Sequence, residues 1–159
     1  MTDKHEHERF WEIIAGMRAC MVTTSDGGLI RARPMAPFVD KDARVIQFVT
    51  DDDSAKIDEM LLDRELCLSF ADTKAMLFAS VSGRAEISED KRLIDKLWGP
   101  YCEAFFPDGP DSVSVITVNA SRAEYWDNDK GVLKMAYEVT KAYFTDEGPN
   151  LGENAKLEL

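Results

Sequence analysis

Seven short stretches of alternating apolar and polar residues, most of them followed by a turn signal, leave this chain few choices of fold. Alternation with a period of two is the pattern of a strand that buries one face. The predicted strands are residues 18–25, 29–39, 44–50, 66–71, 76–87, 113–118 and 123–127. Because hairpin turns connect most of them, we expect an antiparallel barrel and not the βαβ units of a Rossmann fold.

Turn and breaker residues refine this prediction. Asp26-Gly27-Gly28 is a tight-turn signal, so the first three strands are expected to form an antiparallel meander. Pro34 and Pro37 interrupt the second of these strands, which predicts an edge or bulged strand. Gly83 inside the strand 76–87 predicts a bulge or the close approach of a ligand.

Four helices are predicted to pack outside the barrel. In the first, residues 5–17, the apolar side chains recur at helical spacing, and Gly16 marks its end. The second covers residues 54–63 with Asp53 as the candidate N-cap. The sequence Ser88-Glu89-Asp90 caps the third, which Gly99-Pro100 ends or kinks, and residues 133–144 form the last. Residues 156–159 have no predicted structure.

Length and charge limit the function classes. A chain of 159 residues predicts a single domain over residues 1–159. The net charge of −11 predicts no binding to nucleic acid or to an anionic membrane, since both require basic patches. There is no apolar run of about 20 residues and no signal-peptide core, which predicts a cytoplasmic protein.

The histidines and cysteines exclude several kinds of site. Both histidines, His5 and His7, lie at the N-terminus, so no imidazole is available for a Ser-His-Asp or Cys-His catalytic pair. Cys20, Cys67 and Cys102 stand far apart, which favours buried thiols over a disulfide or a zinc site. We therefore expect no metal, and the catalytic residues stay unknown.

The start of the second helix is a candidate phosphate site. A helix N-terminus attracts anions, and Ser54 and Lys56 add a hydroxyl and an ammonium to its first turn. Arg31 and Arg33 lie two residues apart on a predicted strand and therefore on one face. Together they suggest a small phosphorylated ligand, although each could instead be an ordinary helix start or a solvent-facing charge. Residues 51–53 are all aspartates, which fit a helix dipole better than a metal cluster.

Four segments, in this order, resemble one known family. They are Arg33-Pro34-Met35, the turn Thr50-x3-Ser54-x-Lys56, Val81-Ser82-Gly83 and Glu124-Tyr125-Trp126. The pattern is similar to the pyridoxamine 5′-phosphate oxidase-like FMN-binding split-barrel superfamily, and within it to the general stress protein branch. The similarity covers roughly residues 8–128, leaving a C-terminal helix and tail over residues 129–159.

The resemblance implies a mainly β protein, a six-stranded antiparallel FMN-binding split barrel with peripheral helices. It also implies a homodimer with a flavin site at each subunit junction. By this resemblance Arg33, with Arg31 second, and Ser54 and Lys56 would hold the FMN phosphate. The residues that would line or neighbour the flavin are Phe48, Val49, Thr50, Trp98 and Trp126, although both tryptophans could equally be core aromatics.

The sequence departs from the true oxidases of this superfamily at three places. Ala55 stands where they carry an arginine in the phosphate turn, and Phe78 stands where a glutamine contacts the flavin. The histidine motif near their C-terminus is missing after Trp126. These departures argue against oxidation of pyridoxamine phosphate.

Two functions remain open on this evidence. The first is a flavin-dependent oxidoreductase of unknown substrate, and the alternative is a non-catalytic flavin-binding or interaction protein. FMN is the expected cofactor, with FAD or deazaflavin as alternatives. Haem ranks last because only His5 or His7 could ligate it.

Overall fold

The computed structural model describes residues 4–128, 131–145, 148–150 and 152–159, without the side chains of residues 55, 56, 62 and 131–134. The predicted class is confirmed: the described part of the chain is mainly antiparallel β structure. It contains eight strands where six were expected from the family resemblance. They are β1 (Cys20–Asp26), β2 (Leu29–Met35), β3 (Phe38–Asp40), β4 (Val45–Asp51), β5 (Glu65–Asp72), β6 (Leu77–Ser88), β7 (Val113–Asp127) and β8 (Glu153–Glu158).

Helices lie between these strands and at the N-terminus. They are α1 (Lys4–Ala15), α2 (Ala55–Leu62), α3 (Lys91–Leu97), α4 (Pro100–Phe105) and α5 (Gly131–Phe144), with a short 3-10 turn at Pro110–Ser112. Asp90 caps α3 as predicted, since its side chain accepts a hydrogen bond from the Arg92 N–H. The predicted cap of α2 is wrong: Ser54 occupies the N-cap position, and Asp53 is exposed. None of the described helices combines the length and the apolar character that crossing a membrane requires.

The strands form a sheet in the order β2-β1-β5-β6-β7-β4-β3, with β8 also paired to β7. The two hairpins of the predicted meander are present, since β1 pairs with β2 and β3 pairs with β4. The prediction that they lie side by side in one meander is wrong, because β4 pairs with β7 on its other side. The reason is the break at Ala36 and Pro37, because Pro37 has no N–H to continue the ladder. The segment predicted as one strand becomes β2 and β3, which occupy opposite edges of the sheet.

Gly83 lies at an irregularity in the long pairing of β6 with β7. The register shifts between Ser82 and Gly83, so the predicted bulge is confirmed. A Cβ atom on Gly83 would lie 2.5 Å from the backbone oxygen of Asn119. The close approach is thus to backbone in the described structure. Across this bulge β7 continues through residues 119–122, where two separate strands were predicted.

The main core joins buried residues of α1 and α2 to those of six strands, β1 and β4 to β8. Phe10, Ile13 and Ile14 of α1 are buried as the helical spacing predicted, and Met17 packs against the same cluster. The unassigned C-terminal residues form β8, which adds Ala155 and Leu157 to this core. Of the cysteines, Cys20 and Cys102 are buried and Cys67 is half-buried, and none is bonded to another.

A smaller core holds α3 and α4 against β4 and β7. Its buried members are Val49, Ile94, Cys102, Val113 and Val115. Gly99-Pro100 ends α3 as predicted, but Pro100 then begins α4, because proline at the first position of a helix has no donor to lose. This second core places the aromatic residues of α4 beside the end of β4.

Candidate functional site

A cavity of about 470 Å³ lies where the ends of β2 and β4 face α4. Three of the predicted flavin-site residues line it: Arg33, Val49 and Thr50. The remaining lining residues precede β1, end β2 and β4, or belong to the β2–β3 connection and the α4 region; they are Arg18, Ala19, Pro34, Met35, Ala36, Asp51, Tyr101, Phe105 and Phe106. This volume lies in the range of small-molecule sites.

The charge of this cavity differs from that of the whole chain. Its charged lining residues are Arg18, Arg33 and Asp51, two cations and one acid, in a protein of net charge −11. A local excess of positive charge in a negative molecule suits a small phosphorylated ligand. Asp51 carries the one opposing charge among these lining residues.

One wall of the cavity is aromatic. The rings of Tyr101 and Phe105 lie 4.5 Å apart with planes tilted by 30°. Both residues are exposed, although they line a cavity and carry large apolar surfaces. Phe106 adds a third ring that is partly buried against the smaller core. Such a wall suits a flat, apolar ring system.

Arg31 and Arg33 converge on one acidic residue, Glu59 of α2. Arg33 donates from Nη2 to Glu59 Oε2 at 2.6 Å, and Arg31 donates from Nη1 to Glu59 Oε1 at 2.7 Å. Thr24 Oγ1 donates to Glu59 Oε2 at 2.7 Å and accepts from Arg33 Nη1 at 2.8 Å. The Glu59 side chain is 5% exposed, so a buried carboxylate sits beside the two predicted phosphate cations.

The surroundings of Glu59 favour its charged form. Burial alone would raise the pKa of Glu59, but the hydrogen bonds from Thr24 and Arg33 and the charges of both arginines outweigh burial. They hold this pKa below its ordinary value of 4.5. A carboxylate with a depressed pKa stabilises the folded state above its unfolded pKa, and that contribution is lost as the pH falls through the folded pKa.

We therefore expect acid to destabilise the wild-type protein partly through Glu59. Below about pH 4.5 the unfolded chain binds the proton first, so the free energy of unfolding should decrease as the pH falls. Glu59→Gln removes this titration and should flatten the decrease. The measurement is urea unfolding of both proteins at a series of pH values. Glu65→Gln, which alters an exposed pair with Arg84, is the control; an equal flattening there would contradict the assignment.

The turn before α2 brings together two hydroxyl groups. Thr50 Oγ1 and Ser54 Oγ lie 3.3 Å apart, which ties the end of β4 to the N-cap of α2. Asp52 accepts a 2.5 Å hydrogen bond from Ser114 Oγ, and Asp51 and Asp53 are exposed. The described residues contain no cluster of His, Cys, Asp or Glu that could hold a metal. Lys56 lies in the first turn of α2, but its side chain is outside the described residues.

Other predicted flavin neighbours do not line the cavity. Phe48 lies on the opposite face of β4 from Val49 and is buried in the main core, where it is 1% exposed. Trp98 packs 6.5 Å from the ring of Phe106, behind the cavity wall. Trp126 pairs with Phe78 across β6 and β7 and is 37% exposed. Arg31 does not line the cavity either, and its guanidinium pairs with Glu59.

The sequence contained signals for some residues that we missed. Tyr101 and Phe105 lie four residues apart after Pro100, which is the pattern of a short helix with one aromatic face. Arg18 was placed at the start of a strand and not at a site. For Glu59 there was no local signal, because a glutamate in an amphipathic helix normally faces solvent.

Comparison with known proteins agrees with this fold. The sequence of Protein bli-3 of Neurospora crassa is 30% identical over 138 residues, which is 79% of this chain, and this chain spans 66% of the length of that relative. A crystal structure from Jannaschia sp. CCS1, assigned to general stress protein 26, is 25% identical with a TM-score of 0.78 and covers 99% of this chain and 100% of that one.

A second structure is the general stress FMN/FAD binding protein of Xanthomonas citri. It is 29% identical with a TM-score of 0.69, over 79% of this chain and 91% of that chain. The family model described as pyridoxamine 5′-phosphate oxidase like matches residues 5–150. This match, which agrees with the antiparallel β structure, shows that the chain belongs to the pyridoxamine 5′-phosphate oxidase-like family.

Proposed function

We propose that this protein binds FMN in the cavity between β2, β4 and α4, and that it is a general stress-type flavoprotein. The observation that carries the proposal is the composition of the cavity, which joins Arg33 and Thr50 to an aromatic wall. A cation and hydroxyls suit a phosphate, and aromatic rings suit the flat ring system of a flavin. Supporting evidence is the Xanthomonas citri relative, which is named as an FMN/FAD binding protein.

In this proposal the phosphate lies between β2 and the start of α2. Arg33 donates two of its five N–H groups within the protein and lines the cavity, so further donors remain for a ligand. Ser54 and Lys56 would supply a hydroxyl and an ammonium from the helix start, and Arg31 would add charge from behind Glu59. The anion would also be attracted by the N-terminus of α2.

The flavin ring would contact Val49, the backbone of β4 and the aromatic wall. We further propose a homodimer, in which the exposed Trp126 would contact the partner copy. A site at the subunit junction would explain why Trp126 and Trp98 lie away from the cavity within one subunit. A cytoplasmic location and a single domain over residues 1–159 complete this proposal.

A bound flavin would supply redox chemistry, so the activity proposed is that of an oxidoreductase of unknown substrate. The protein's own residues would bind the phosphate, orient the ring and exclude water. Ala55 and Phe78 differ from the true oxidases, so pyridoxamine phosphate is not the proposed substrate. A non-catalytic flavin-binding role is the alternative.

Cofactor identity and reduction test the proposal together. Purified protein is incubated with a mixture of FMN, FAD, riboflavin and deazaflavin, desalted, and the retained cofactor is identified by mass spectrometry. We expect FMN at one per subunit. Reduction by NADPH followed by turnover of an electron acceptor would support the enzyme, whereas retention of FMN without turnover would support the binding protein. Retention of none of the four would contradict both.

A further inference from the structure

The ion-pair cluster around Glu59 is unexpected for a phosphate site. A buried carboxylate contacts both arginines at 2.6 and 2.7 Å and so cancels one of their two charges. Asp26 also lies 3.5 Å from Arg31, but its side chain is exposed and water screens its charge. Glu59 is therefore the acid that determines the charge behind the cavity. Neither Glu59 nor Arg31 lines the cavity.

We propose that Glu59 sets the affinity of the site for the phosphate group, by positioning Arg33 and reducing the positive charge that an anion experiences there. This inference rests on the proposed FMN site and adds a residue that controls how strongly the site prefers a phosphorylated flavin. Glu59 is a positioning residue, since it acts through Arg33 and Arg31.

Geometry and charge both support this role. Glu59 and Thr24 hold two N–H groups of Arg33, which fixes the guanidinium while its other donors remain free to bind an anion. An anion bound to Arg33 would lie within a few ångströms of the Glu59 carboxylate, where like charges repel strongly because the site is partly buried. The repulsion affects a phosphate and leaves an uncharged flavin unaffected.

The comparison of FMN with riboflavin isolates this effect, because riboflavin lacks the phosphate. The measured quantity is the ratio of the dissociation constant of riboflavin to that of FMN. Glu59→Gln keeps the size of the side chain and an acceptor for Thr24 but removes the charge. We expect the ratio to rise about tenfold, the order expected for removing one nearby like charge.

Arg31 provides the reverse test. Its side chain is 52% exposed, so Arg31→Gln should fold even if the Glu59 variant is unstable. Because Arg31 offsets Glu59, its loss should lower the ratio about tenfold by the same Coulomb reasoning. The double variant Arg31→Gln with Glu59→Gln restores the wild-type net charge and should return the ratio to within about twofold of wild type.

The control is Glu65→Gln, which removes an equal charge from an exposed ion pair with Arg84 and should leave the ratio unchanged. A ratio that stays constant or falls in Glu59→Gln would overturn the inference. So would a double variant that remains as weak as Arg31→Gln, since Arg31 would then contact the phosphate directly. Wild-type protein that fails to bind FMN would contradict the proposed function instead, which separates the two failures.

Discussion

Replacing Arg33 or Lys56 by alanine should each weaken FMN binding by about 1–3 kcal/mol, which is roughly 5–150-fold in the dissociation constant. The reason is the loss of a charge-assisted hydrogen bond to the phosphate from a partly buried group. Arg33 is 19% exposed, lines the cavity and is already held by Thr24 and Glu59. Lys56 lies in the first turn of α2, where the helix end adds to its attraction.

Isothermal titration with FMN and with riboflavin measures this effect. Riboflavin affinity should change little, because the missing interaction involves the phosphate. Arg84→Ala is the matched control, since it removes an exposed arginine that pairs with Glu65 away from the cavity. Because Arg33→Ala also leaves Glu59 with one arginine fewer, thermal unfolding of each variant must show that it is folded. FMN affinities equal to wild type in both variants would refute the phosphate assignment.

Replacing Gly83 by alanine should lower the free energy of unfolding by about 1–3 kcal/mol. An added Cβ would lie 2.5 Å from the Asn119 oxygen and 2.9 Å from the Ala120 Cα. Both contacts are to the backbone of β7, so relief requires the two longest strands of the sheet to separate locally. The bulge between Ser82 and Gly83 would be lost or displaced.

Thermal unfolding measures the effect, with an expected decrease in the midpoint of roughly 2–12 °C for a chain of this size. The matched control is Gly148→Ala. Gly148 lies outside the helices and strands, and an added Cβ there meets no atom within 4 Å. That variant should lie within about 0.5 kcal/mol of wild type. Equal stability of the two variants would show that β7 can move away from Gly83 at no cost.

Local sequence signals predicted the local structure well. Alternation identified β1, β5 and β6. Asp90 was recognised because a helix cap depends on nearby residues, and Gly83 because glycine inside a strand pattern is itself a bulge signal. The pairing of β4 with β7 depends on residues about 65 positions apart in the chain, which no local pattern reports. For this reason the hairpins β1–β2 and β3–β4 were wrongly predicted to lie side by side. Residues 113–127 were predicted as two strands because their pairing with β6 across the bulge was unknown.

The candidate site could be predicted only in part, because some of its contacts join distant parts of the chain. Val49 and Thr50, at the end of one strand, line a single cavity together with Arg33. Glu59 was missed because its burial arises from the packing of α2 over Thr24 of β1. The same packing determines that Arg31 lies behind Glu59 and not in the cavity wall.

Titration of FMN into the wild-type protein, followed by the quenching of flavin fluorescence, tests the central claim most directly. Light scattering first measures the oligomeric state, for which we propose a dimer, and FAD and riboflavin are titrated in parallel. We expect saturable binding of one FMN per subunit, tighter than the binding of riboflavin. If FMN, FAD and riboflavin all fail to bind, the fold assignment would be unaffected but the cavity would not be a flavin site.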